Sequence, residues 1–132
     1  MSVTVIIDKE KRLAICAAYG VVTNGDGPEM QRQLAAHPDF DPRFSQLLDM
    51  TQVTKLEIEA DVVRKLAEST VFDPAARRAF VAGSDAVYGF SRMFEILLET
   101  TGASGIKVFR SREEALRWLE QEFPDSAGTL GP

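Results

Sequence analysis

The chain has 132 residues, 45% of them hydrophobic and 27% charged, and a net charge of −5. That length holds one domain with its own core, and the composition argues against disorder. With 15 basic against 20 acidic residues and no basic run longer than Lys11-Arg12 or Arg77-Arg78, the charge needed to grip phosphate backbones is missing, which excludes nucleic acid as a partner.

The start, Met1 to Asp8, lacks a basic leader and reaches Asp8 too soon for the apolar stretch of a signal peptide, and no later window approaches transmembrane length. Cys16 is the single cysteine, so an internal disulfide is ruled out and the reducing cytosol is the expected compartment. Between Ile15 and Ala17 it reads as a buried strand position, where a thiol behaves as a small hydrophobe.

Val3 to Asp8 and Leu13 to Val22 are β-rich runs joined by Lys9-Glu10-Lys11-Arg12, which suits an antiparallel hairpin. Asp26-Gly27-Pro28-Glu29 follows with an acidic N-cap, a first-turn proline and a glutamate three residues after the cap, so a helix starts here. Met30, Leu34 and His37 share its inner face, and Pro38 ends it near His37. After the turn Asp39-Phe40-Asp41-Pro42, a third strand is predicted from Phe44 to Met50. The next helix opens at Glu57-Ile58-Glu59-Ala60 and carries the stripe Val62, Val63, Leu66, Ala67 and Thr70.

Arg77 to Ala82 is the fourth strand. Gly83-Ser84-Asp85 caps a third helix that Gly102 terminates. Gly105 to Phe109 is the fifth strand, and Ser111-Arg112-Glu113-Glu114 is a capping box for a last helix with Ala115, Leu116, Leu119 and Phe123 inward. One domain over 1–123 is expected, with a loose tail over 124–132.

Strand, strand, helix, then strand and helix alternating three times specifies an α/β domain. Its single-layer, mixed five-stranded sheet has an N-terminal antiparallel strand followed by parallel strands with right-handed helical crossovers. Such crossovers send the helices to one face, so the other needs cover from long side chains or a partner, which a homodimer would supply.

Reactive groups are sparse. His37 is the only histidine, and no Gly-x-Ser-x-Gly motif accompanies it. Gly102-Ala103-Ser104-Gly105 lacks the Lys-Ser/Thr of a phosphate loop and reads as a turn. Ser84 and Asp85 with Arg77 or Arg78 would make an anion site, but strand alternation sends the two arginines to opposite faces, and an ordinary N-cap accounts for Ser84. No catalytic residue, metal ligand or cofactor is predicted, and an enzyme is not expected. The third helix is more distinctive. Val87, Phe90, Met93, Phe94, Ile96, Leu97 and Leu98 span an apolar arc of roughly 200°, wider than one sheet contact needs. A neighbouring helix, a dimer interface or an apolar ligand would occupy the excess. Trp118 falls at the edge of the last helix's inner stripe.

The two-strand start, Ala18 to Val22, the Asp39-Phe40-Asp41-Pro42 turn, and Ala76 to Ala82 followed by Arg92-Met93-Phe94-Glu95 together resemble bacterial STAS/SEC14-domain proteins. These are small stand-alone domains related in fold to the sporulation anti-sigma-factor antagonists, and the resemblance covers residues 3 to 123. In those antagonists an Asp-Ser-Ser-Gly stretch follows the third strand, and a serine in it is phosphorylated by the partner kinase. The matching stretch here is Glu57-Ile58-Glu59-Ala60, with both serines missing, so that switch does not carry over. Glu59 either imitates the phosphorylated state or simply stabilises the helix start. The resemblance implies a non-enzymatic interaction module docking a protein partner through Glu57, Ile58 and Glu59. Its SEC14 side implies the alternative, a binder of a lipid or other small apolar molecule, with Tyr88, Phe90, Met93 and Phe94 as lining.

Overall fold

Alternating apolar residues make a hairpin of the first two runs: in the computed structural model, Val3–Asp8 (β1) pairs antiparallel with Leu13–Thr23 (β2), Val3 opposite Ala18 and Asp8 opposite Leu13. The structure describes residues 2–121, so the predicted tail and Phe123 lie outside it. Ser45–Glu57 (β3), Arg77–Ala82 (β4) and Gly105–Phe109 (β5) add in parallel to give the order β1-β2-β3-β4-β5. Asp26–Ala36 (α1), Ala60–Glu68 (α2) and Asp85–Thr100 (α3) connect successive parallel strands, and Arg112–Glu120 (α4) follows β5.

β3 corrects the predicted boundary: it does not stop at Met50 but runs to Glu57, so Glu57 closes a strand instead of opening a helix. Its partner explains the extension. β2 continues to Thr23, and Tyr19 pairs with Gln52 and Thr23 with Glu57. Register shifts fall between Ala17 and Tyr19 and between Gly20 and Val21, and at each β3 carries one extra residue. Gly20 sits at one of them with φ +71, a conformation that glycine adopts without steric cost. Past Met50 the core-facing β3 positions are therefore three apart, at buried Val53 and half-buried Leu56, which breaks the two-residue alternation.

The three connecting helices share one face. There Met30 and Leu34 of α1, Ala67 of α2, and Val87 and Leu98 of α3 pack with Val3, Ala14, Cys16, Ala18, Met50 and Phe80 of the sheet. α4 lies on the opposite face, where Ala115 meets Leu13, Leu47, Ala79, Val81 and Phe109. The second face is therefore not left bare, because a helix after the last strand is free to cross the sheet edge. Arg112 at its start anchors it, Nη1 standing 2.8 Å from Asp49 Oδ2 on β3. Only the β1–β2 end of this face stays open, with Ile6 61% exposed and Tyr19 and Val21 also exposed.

Helix ends follow local hydrogen bonding. Ser84 Oγ accepts from Val87 N–H and Ser111 Oγ from Glu114 N–H, the two predicted caps. Asp26 is not the N-cap of α1. Gly25 holds that position, because the Asp26 carboxylate turns back to accept from Thr23 N–H at 2.7 Å. His37 is the C-cap, in extended backbone geometry, as a residue before proline favours.

Candidate functional site

Between α1, α2, α3 and the inner face of the sheet lies a half-open cavity of about 100 Å³. Three of its lining residues are small and sit on separate elements: Ala18 on β2, Gly27 on α1 and Ser91 on α3. A Cβ on Gly27 would stand 2.5 Å from Leu66 Cδ1, so the missing side chain leaves room for the end of the Leu66 side chain at the cavity border. Most of the wall is aliphatic or aromatic. Phe80 of the sheet stacks on Phe94 at 5.8 Å, and Phe94 on Phe90 at 6.3 Å, so one side of the hollow is a run of ring faces.

One lining residue is out of keeping with that wall. Arg78, the second residue of β4, is 6% exposed. Its Nε donates to Gln46 Oε1 at 2.9 Å and its Nη1 to Thr70 Oγ1 at 3.1 Å. Its guanidinium carbon lies 4.6 Å from the centre of the Phe72 ring and 5.5 Å from that of Phe80. Gln46 is itself buried, and its Nε2 reaches Cys16 Sγ at 3.5 Å, which makes a polar chain through β2, β3 and β4. Burial pushes the Arg78 pKa down to about 10 and the Cys16 thiol up to about 11, the Gln46 hydrogen bond and the Arg78 charge only partly opposing the second shift. At neutral pH the arginine is charged and the thiol neutral, so Cys16 offers Arg78 no counter-charge.

The sequence-predicted lining residues divide. Phe90 and Phe94 line the cavity. Met93 is 43% exposed and Tyr88 packs under the Arg110 guanidinium at 5.4 Å, and neither is part of the lining. The wide arc of α3 is thus shared out: Val87 and Leu98 face the sheet, Phe90 and Phe94 the cavity, and Met93 and Ile96 solvent, with α2 packed alongside.

Glu57, Ile58 and Glu59 span the β3–α2 junction. Glu57 is exposed and stands 3.0 Å from Lys55 Nζ. Glu59 is the N-cap of α2 without a side-chain cap bond. Asn24 clamps it from both sides, Oδ1 accepting from its backbone N–H at 2.8 Å and Nδ2 donating to its carboxylate at 3.3 Å. Ile58 turns the other way and lines the cavity. Arg77 reaches the opposite face, its guanidinium donating to the Trp118 and Gln121 carbonyls and lying 4.7 Å from the Trp118 ring centre. The two arginines therefore do part as alternation predicts, and neither joins Ser84. Asp85 pairs instead with Arg110 at 3.0 Å.

His37 accepts from Asp39 N–H on Nδ1 at 3.1 Å, a turn-closing role. Among the described residues no group of His, Cys, Asp or Glu is placed to hold a metal ion, and no helix is long and apolar enough to cross a membrane. The sequence pattern marks Phe90 and Phe94 but not Gln46, and it places Thr70 on the stripe of the second helix, whereas α2 ends at Glu68 and Thr70 lies beyond it. Gln46 and Thr70 reach Arg78 across 32 and 8 residues of chain, separations that carry no local signal.

No family model matches the sequence, nor does any curated protein. Among solved structures, the chain is similar to an uncharacterised protein of the DUF3478 family with a SpoIIAA-like fold from Shewanella loihica PV-4. That likeness has a TM-score of 0.59 at 21% identity and covers 89% of this chain and 94% of the other. It defines the class: this chain has the SpoIIAA-like, STAS-type α/β fold.

Proposed function

We propose that the chain is a non-enzymatic STAS-like binding module whose working element is the cavity under α1, α2 and α3, and that it takes a small apolar ligand there. The observation that carries this reading is the half-open hollow itself, walled by Phe80, Phe90, Phe94 and aliphatic side chains. Protein interiors pack without spaces of this size, and concave, mostly apolar sites are where small molecules lodge. An apolar hollow of about 150 Å³ admits benzene, so about 100 Å³ suits one ring or a short chain and not a two-chain lipid.

The test is titration of 1-hexanol into isotopically labelled protein. Shifts confined to Ile58, Leu66, Phe90 and Phe94 are expected, and Ala18→Leu, which places a side chain in the hollow, should abolish them while leaving the spectrum folded. Absence of any saturable shift in the unaltered protein would refute the cavity reading.

A second reading, docking of a protein through Glu57 and Glu59, is favoured by the way Ile58 lines the cavity while Glu57 is exposed beside it. Occupation of the hollow would then be felt at the junction that a partner touches. Reversing the charge of Glu57 and Glu59 should reduce what the chain retains from native lysate, and an unchanged set of retained proteins would count against this reading.

A further inference from the structure

The lining that suits an apolar ligand also contains a cation without an anion. Arg78 uses Nε on Gln46 and one Nη1 hydrogen on Thr70, while Nη2 makes no hydrogen bond to any described residue. No carboxylate lies within ion-pair distance of it among the described residues. Asp26 is the one acidic residue in the lining, and its Oδ2 already accepts from Thr23 N–H. Buried charges are ordinarily paired, since removing an ion from water is strongly unfavourable unless a counter-charge replaces the lost hydration. Arg78 lines the cavity, and a guanidinium with one amino group uncommitted is shaped to receive two oxygens in a plane.

The geometry points to a ligand that is a small monocarboxylate: its oxygens meet the Nη edge of Arg78, and its single apolar tail or ring lies against Phe80, Phe90 and Phe94. Arg78 sets the class, and the volume sets the size, near that of hexanoate or benzoate. The inference rests on the cavity reading given under Proposed function and adds the charge. A carboxylate loses far more hydration than an alcohol on entering an apolar site, so tighter binding of the acid is direct evidence for a waiting cation.

Isothermal titration at pH 7 should compare hexanoate with 1-hexanol, and benzoate with benzyl alcohol, on the whole chain. Each acid should bind at least tenfold more tightly than its alcohol. Arg78→Met should erase that preference while keeping the alcohol, and Arg78→Lys, which keeps the charge but not the fork, should fall between. Acetate, the same head without a tail, should bind at least tenfold more weakly than hexanoate. If alcohols bind and acids show no advantage, the charge inference is overturned and the apolar cavity stands. If neither binds, both fall. Should Arg78→Met fail to fold, the acid-to-alcohol ratio on the unaltered protein decides alone.

Discussion

Replacing Arg78 by methionine is expected to leave the unliganded protein at least as stable as before, an unusual outcome for a residue only 6% exposed. Burial holds the guanidinium at a pKa of about 10. Against an ordinary arginine above 12, that depression corresponds to roughly 3 kcal/mol disfavouring the charged form in the folded chain. The sign follows from linkage: the unfolded chain holds this proton more tightly, so the penalty is fully present at neutral pH and is relieved only as pH rises through about 10. Methionine removes it, and sulfur–aromatic contact with Phe72 and Phe80 replaces cation–π contact of similar size. What the substitution leaves behind is Gln46 Oε1, buried without its donor, at roughly 1–3 kcal/mol.

Arg78→Met should therefore lie between no change and roughly 2 kcal/mol of added stability. Gln46→Leu alone orphans Arg78 Nε and should destabilise by roughly 1–3 kcal/mol. The double variant, which removes both partners, should exceed the parent by roughly 2–3 kcal/mol. Urea unfolding followed by circular dichroism, with an unchanged m-value, measures all three. A loss of about 3–5 kcal/mol in Arg78→Met, the usual consequence of breaking a satisfied buried pair, would refute the reasoning. It would mean that the cation is already fully compensated within the fold.

Two further outcomes follow from titration. Cys16, raised by burial to about 11, carries on the order of a hundredfold less thiolate than a free thiol at pH 8, so a chromogenic disulfide should label the folded chain at least that much more slowly than the urea-unfolded chain. Because the folded pKa lies above the unfolded one, the associated stability is present below the ordinary thiol range and lost as pH rises through about 11; equal labelling rates would contradict the burial. Asp41 is held at about 2, first by its side-chain hydrogen bonds with Arg43. Its carbon-13 titration should show that midpoint, and Arg43→Ala should raise it part of the way towards the ordinary carboxylate range, because the backbone N–H of residue 43 still donates to Asp41 Oδ1. Being depressed, this pair contributes above the ordinary carboxylate pKa and is lost as pH falls through about 2, and an ordinary midpoint in the parent protein would remove the interaction.

Much of the fold was legible because local rules agreed with the tertiary outcome. Ser84 and Ser111 mark helix starts with hydroxyls that do cap, and Arg77–Ala82 and Gly105–Phe109 emerge as the strands expected. β3 escaped because its two extra residues against β2 interrupt alternation where the strand still has seven residues to run, Thr51 to Glu57. The crossing of α4 to the far face was hidden too, since crossover rules constrain only helices between parallel strands. The cavity was half visible. Phe90 and Phe94 stood out in a wide arc, whereas Met93 and Tyr88 share that arc's neighbourhood and turn elsewhere, a distinction set by where α2 docks. Arg78 could be sent to the face opposite Arg77 by parity, but which of the two faces held the hollow depended on contacts 8 and 32 residues away.

Ala18, Gly27 and Ser91 come from a strand and two different helices, yet all three border the same hollow. The width of the hollow consequently depends on small side chains at three separate places in the chain. Capacity can be adjusted one side chain at a time: enlarging Ala18 shortens the space from the floor, enlarging Ser91 narrows it from α3, and Gly27 governs how near Leu66 may swing. A lineage or a designer could in this way resize the guest that is admitted without disturbing the arginine beneath it.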